Sequence, residues 1–125
     1  MRKLSESDAQ ENLETCREVE RNNFNTIMGM EKSTANLQTS LVALFQLATE
    51  IAVLRVDQAE GDPAAIPSLR VAESKVKRTL ASAQTEVKRA DVTIKERAEL
   101  LMQEGVASLK VAMADRALPI SAARG

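Results

Sequence analysis

The densest run of apolar residues lies at positions 41–56, LVALFQLATEIAVLRV, where twelve of sixteen residues are apolar. At about 100° per residue, these side chains cover roughly 200° of a helix, far more than the narrow seam that two packed helices need. Polar residues interrupt the run at Gln46, Thr49, Glu50 and Arg55. We call positions 41–56 the apolar belt. A helix with so wide an apolar surface needs several neighbours, so the chain should be organised around it.

The rest of the apolar pattern also has helical spacing. Before and through the belt it alternates in steps of three and four, as coiled coils do, at Ile27, Met30, Thr34, Leu37, Leu41, Leu44, Ala48 and Ile51. In the second half, larger residues recur at intervals of seven with Ala or Val between them: Val76, Leu80, Ala83, Val87, Ala90, Ile94 and Leu101. Both halves therefore predict long amphipathic helices.

The predicted boundaries follow from capping and turn residues. Ser7 with Gln10 three positions later forms a capping-box pattern, which predicts a helix start near residues 5–7. Gly61 followed by Asp62-Pro63 ends that helix. We predict one helical domain over 1–125, with a helix at about 6–60, a loop at about 57–67, a helix at about 67–118 and an extended tail at 119–125.

The fold class is therefore all-α, and the first layout is an antiparallel, coiled-coil-like hairpin of two helices, each roughly 75 Å long. Partners in this hairpin should have numbers that sum to about 124, which places Cys16 opposite Ser108. A second layout follows from the weak helix formers at 22–25 and from Gly29. It splits the first helix near Asn23 and folds the pieces into a three- or four-helix bundle.

A lone hairpin would leave much of the apolar belt in water, and exposed apolar patches of that size usually mark interaction surfaces. We therefore expect assembly with other helices, either of the same protein or of others. The residues predicted to form a core or oligomer interface are the large apolar positions of both helices: Leu37, Leu41, Leu44, Phe45, Leu47, Ala48, Ile51, Leu54, Leu80, Val87, Ile94 and Leu101.

Charge is nearly balanced overall but divided along the chain. Residues 1–62 hold six basic and eleven acidic side chains, a net charge of −5, whereas residues 63–125 hold eleven basic and seven acidic ones, a net charge of +4. We interpret this division as two helices whose flanking charges favour lying side by side. The alternative is a basic helix with an anionic ligand. Near neutrality and the lack of Trp and Tyr argue against nucleic acid as that ligand.

Catalytic and metal-binding chemistry has little to build on. The chain has no His, a single Cys16 and four isolated Gly, so the usual nucleophile–base pairs, metal-ligand spacings and phosphate loops are missing from the sequence. We predict no enzyme activity, no cofactor and no metal.

The N-terminal MRKLSESDAQ lacks the apolar core of a secretory signal. This predicts intracellular synthesis without that route of export, in the cytoplasm or within a macromolecular assembly. A membrane-spanning role is disfavoured because the long uncharged run 33–49 contains eight polar residues. Insertion of an assembled oligomer into a membrane stays open.

Two functional hypotheses follow. The first is a structural or assembly subunit that self-associates or docks in a larger complex, with a virion or a secretion machine as examples. The second is a small regulatory or chaperone-like helical protein that presents a helix face to one partner protein.

Overall fold

The computed structural model describes residues 5–30 and 33–114, and these form four α-helices and no strand. The helices are α1 (Glu6–Met28), α2 (Ala35–Ala59), α3 (Ala65–Arg89) and α4 (Val92–Ala112). The predicted all-α class is confirmed. Each of the two long helices of the predicted hairpin is instead divided in two, so the chain forms a helical bundle.

The first division lies at Gly29 and not among the asparagines. Helix α1 runs without a break through 22–25, where the Asn23 side chain donates a hydrogen bond to the Val19 carbonyl oxygen at 2.9 Å. It ends at Gly29, whose N–H donates to the Asn25 carbonyl oxygen at 2.9 Å, and the next residue, Met30, donates its N–H to the Ile27 carbonyl oxygen at 3.3 Å. Helix α2 then begins at Thr34, whose hydroxyl accepts the Leu37 N–H at 3.0 Å. The break therefore lies six residues after the position that the sequence suggested.

The second division, at Ala90-Asp91, was not predicted. Ala90 has extended backbone angles, φ −70° and ψ 152°. The Asp91 carbonyl oxygen then accepts the N–H groups of Ile94 and Lys95, which starts α4. Asp favours helix starts, and the β-branched residues that follow, Val92, Thr93 and Ile94, are weak helix formers. The sequence thus contains a restart signal that the unbroken spacing of seven obscures.

Other boundaries follow the expected chemistry with small shifts. The N-cap of α1 is Ser5, which accepts the Asp8 N–H, and not Ser7. Gly61 adopts the left-handed conformation expected of it, with φ 94°. The loop between α2 and α3 is shorter than predicted, spanning 60–64. Helix α4 ends at Ala112, and the predicted end at residue 118 and the tail at 119–125 lie outside the described residues.

The bundle resembles the predicted hairpin folded in half. Helices α2 and α3 keep the expected antiparallel register, since Glu50 and Lys75, whose side chains approach within 3.7 Å, have numbers that sum to 125. Both arms divide at the same level, so α1 and α4 turn back together. Their register is preserved, and the Cys16 thiol donates to the Ser108 carbonyl oxygen across 3.6 Å. The predicted opposition of these two residues is confirmed.

Helix α2 lies at the centre and packs against all three other helices, whereas α1 and α3 make hardly any contact with each other. Helices α1 and α3 therefore occupy opposite sides of the α2–α4 pair. This arrangement determines which surfaces remain available to other molecules.

Candidate interaction surfaces

The apolar belt is closed within the chain. Within two turns, α2 contacts each of the other three helices. It lies so close to α4 that a Cβ added at Gly105 would be 3.1 Å from the Leu44 Cβ. On its other sides, Thr49 donates a hydrogen bond to Glu20 of α1 at 2.6 Å, and Glu50 approaches Lys75 of α3. The exposed belt expected of a lone two-helix hairpin is therefore not found. The reason is that α1 and α4 fold back over it.

The predicted interface residues accordingly lie inside the bundle. Eleven of the twelve are buried, and Leu54 is partly buried against the same core. They divide between two adjoining clusters. The larger contains Leu44, Leu47, Ala48, Ile51 and Leu80. The other, nearer the breaks, contains Leu37, Leu41, Phe45, Val87, Ile94 and Leu101. Their burial means that an oligomer surface has to be sought among other residues.

Arg55 is a polar residue whose burial the sequence did not reveal. It is one of the four polar residues that interrupt the apolar belt, yet only 1% of its surface is exposed. Its Nη1 atom donates to the Gln58 side chain at 3.4 Å. Arg55 follows Leu44 by three helical turns and so lies on the side of α2 that faces α4, towards the C-terminal end of that helix.

Cys16 is buried between α1 and α4. The pKa of its thiol is raised to about 11, mainly by burial and to a smaller extent by the nearby Glu20 carboxylate. The thiolate is the nucleophilic form of cysteine, so this side chain is unreactive near neutral pH. The surroundings of Cys16 are those of a structural cysteine.

A shallow groove runs between α1 and α4, with a volume of about 460 Å³. Five of its eight lining residues are polar and three are apolar: Thr15, Asn22, Asn23, Glu104 and Ser108, with Val19, Ala107 and Val111. On α4, Leu100 precedes Glu104 by about one helical turn and is 57% exposed. The groove and Leu100 together form a strip of mixed polarity that could receive a side chain of another molecule.

The exposed charges are divided between α1 and α3. Helix α1 carries six carboxylates and two arginines, a net charge of −4, while α3 carries six basic residues and two glutamates, a net charge of +4. Helices α2 and α4 contribute −1 and 0 by the same count. The outer positions of α1 include Glu11, Glu14 and Glu18, and every basic side chain of α3 is exposed. An acidic and a basic surface thus lie on opposite sides of the bundle.

The structure also bears on a metal site and on a membrane-spanning helix, which the sequence disfavoured. Among residues 5–30 and 33–114, no group of three or more possible metal ligands lies together. Helix α2 is long and apolar enough to cross a membrane by length and composition. The core helix of a helical bundle can have the same length and composition.

No protein-family model, curated protein or solved structure matches this chain.

Proposed function

We propose that this protein is a non-enzymatic structural or assembly subunit, a helical bundle that self-associates or docks in a larger protein complex in the cytoplasm. A virion or a secretion machine is the type of assembly meant. The α2–α3 hairpin would serve as a coiled-coil-like scaffold whose apolar belt is closed by α1 and α4, leaving the outer helices for contact with neighbours.

The observation that supports this proposal is the separation of charge between α1 and α3. Opposite charges on a protein surface steer association and select partners, and they lose most of their effect within one chain when they lie far apart. Ion pairs between α1 and α3 within one chain would require these two helices to be neighbours. This chain holds them on opposite sides, where each is presented outward.

The non-enzymatic part of the proposal rests on the described side chains. The sequence offers no imidazole, and its one thiol is buried with a pKa of about 11. Neither a thiolate nor a His general base is therefore at hand for nucleophilic catalysis.

The alternative is a regulatory or chaperone-like protein that binds one partner protein, and the strip formed by Leu100 and the α1–α4 groove favours it. A partner helix could place one apolar side chain in such a groove, as in helix-in-groove recognition. Leu100 would then be a central contact.

Site-specific photocrosslinking distinguishes the two functions. A crosslinking side chain is introduced at Glu14 on α1, at Arg78 on α3 or at Leu100 beside the groove, with exposed Glu60 in the loop as a control. Adducts from Glu14 and Arg78 in cells, with their partners identified by mass, would support the assembly subunit. Adducts from Leu100 alone would support the alternative, and none at any site above the Glu60 control would contradict both.

A further inference from the structure

The acidic and basic surfaces are matched in charge and in spacing. On α1, Glu11 and Glu18 are seven residues apart on one face, and on α3, Arg70 and Lys77 are seven residues apart on one face. Seven residues of helix rise about 10 Å, so each pair presents its charges at the same interval. All four side chains are exposed. A helix with the spacing of α1 can therefore lie along a helix with the spacing of α3.

This match cannot be used inside one chain. Helices α1 and α3 flank the α2–α4 pair and make hardly any contact with each other. With interaxial distances of 8–10 Å between neighbours, the two helix axes are roughly 15 Å apart or more. At physiological ionic strength, the Debye length is about 8 Å, so the attraction between them is largely screened. The complementary surface has to come from outside the molecule.

We propose that the occupant of each face is a second copy of this chain, with α1 of one copy lying along α3 of the next. The inference rests on the proposed assembly function and specifies its geometry. Charge complementarity selects the partner, since the −4 of one helix meets the +4 of the other. The neighbouring chain supplies in this way the ion pairs that the fold keeps apart.

The position of the two faces also determines the symmetry. A two-fold dimer would need both faces on the same side of the molecule, so that each copy gives and receives a contact at one interface. Because they lie on opposite sides, the contact is head-to-tail. Each bound copy exposes a new α1 face and a new α3 face, and association continues beyond the dimer into a row or a ring.

Charge reversal tests this arrangement. An α1 variant carries Glu11→Lys, Glu14→Lys and Glu18→Lys, and an α3 variant carries Arg70→Glu, Lys77→Glu and Lys88→Glu. Three reversals change the net charge of the chain by six, from −1 to +5 in the α1 variant and to −7 in the α3 variant. A third protein with all six substitutions returns to −1 and serves as the matched control for net charge.

Sedimentation velocity over a wide concentration range, at about 20 mM and about 500 mM salt, gives the readout. The natural chain should grow beyond a dimer at low salt and dissociate at high salt. Each single-face variant should lose at least ~10-fold in association. An equimolar mixture of the two should recover it, and so should the six-substitution chain, because both restore an acidic face opposite a basic one.

Other outcomes overturn the inference in distinguishable ways. A closed dimer, or an oligomer that salt and reversal do not affect, contradicts the head-to-tail contact but leaves the assembly function standing. A monomer under every condition contradicts self-association altogether, and the photocrosslinking above then decides whether a different protein occupies the faces. If a reversed variant does not fold, neutral Glu→Gln versions of the α1 set and the salt series on the natural chain give the same decision.

Discussion

The interior of this bundle and its outer faces differ in the kind of contact they provide. Inside, the apolar belt of α2 meets three helices of its own chain, so most of its large apolar side chains are buried without a partner. Outside, α1 and α3 carry opposite net charges on opposite sides of the bundle, so these two helices do not pair with each other, although Lys75 of α3 approaches Glu50 of α2. The contrast suggests that apolar contacts hold the fold together, while charge directs association.

The largest expected loss of stability follows from a substitution in the interior. Ile51 is fully buried at the centre of the belt, and Gln46 is exposed on the same helix. Replacing Ile51 with Asp buries a carboxylate and should lower the free energy of unfolding by roughly 3–5 kcal/mol. The same residue introduced by Gln46→Asp should cost less than about 1 kcal/mol. Urea denaturation of both variants measures the difference, and equal losses would show that the belt is not a core.

A second effect appears at alkaline pH. The folded-state pKa of Cys16 is about 11, raised from an ordinary value of 9.0 by burial and then by Glu20. Between these values, the unfolded chain releases the thiol proton and the folded chain keeps it, so stability present below pH 9 is lost as the pH rises through 11. The loss should reach about 2–3 kcal/mol relative to a Cys16→Ala variant.

That variant also provides the control, since its lysines titrate as in the natural chain while the thiol is gone. Unfolding curves measured from pH 8 to about pH 11 would then diverge. Parallel curves would mean that the thiol reaches solvent in the folded protein, and that the α1–α4 contact is open.

A third test concerns the close approach of α2 and α4. A Cβ at Gly105 would already lie 3.1 Å from the Leu44 Cβ, so the branched side chain of Gly105→Val should push the helices apart and cost about 2 kcal/mol. Ala81 on α3 is the comparison site, because it is exposed beside an open groove and Ala81→Val also introduces a branched side chain into a helix. It should cost about 0.5 kcal/mol or less. Thermal unfolding compares the two, and a neutral Gly105→Val would place α4 farther from α2.

The smallest effect is expected at the surface. Lys75 and Glu50 approach within 3.7 Å, and each side chain is nearly half exposed. A pair of this kind contributes little, so Lys75→Gln should change the unfolding free energy by less than about 0.5 kcal/mol. A loss above 1 kcal/mol would mean that charge contributes to folding as well as to association.

Much of the interior could be predicted from the sequence because buried apolar residues recur at helical spacing. The width of the apolar belt indicated several neighbours, and Gly61 with Asp62-Pro63 located the central turn. The break at Ala90-Asp91 could not be seen from spacing alone. Val87, Ala90 and Ile94 keep the same interval across it, since α4 turns back towards the same central helix.

The interaction surfaces were less predictable. The sequence showed an acidic first half and a basic second half, and the simplest interpretation placed them side by side. Only the tertiary arrangement shows that α1 and α3 hold most of that charge and lie apart. The burial of Arg55 was missed for a related reason, because a charged residue in an apolar run carries no sign of which neighbour covers it.

In this structure one chain folds back on itself and closes its own apolar belt. Glu20 and Thr49 are in contact and their numbers sum to 69, so Glu60 lies level with residue 9, close to Glu11. Spin labels at Glu11→Cys and Glu60→Cys, in a Cys16→Ala background diluted with unlabelled protein, report this distance within one chain. In the folded-back chain the two labels should show a single distance of about 20 Å. A distance near 70 Å, as in one continuous helix, or a signal that dilution abolishes, would contradict it.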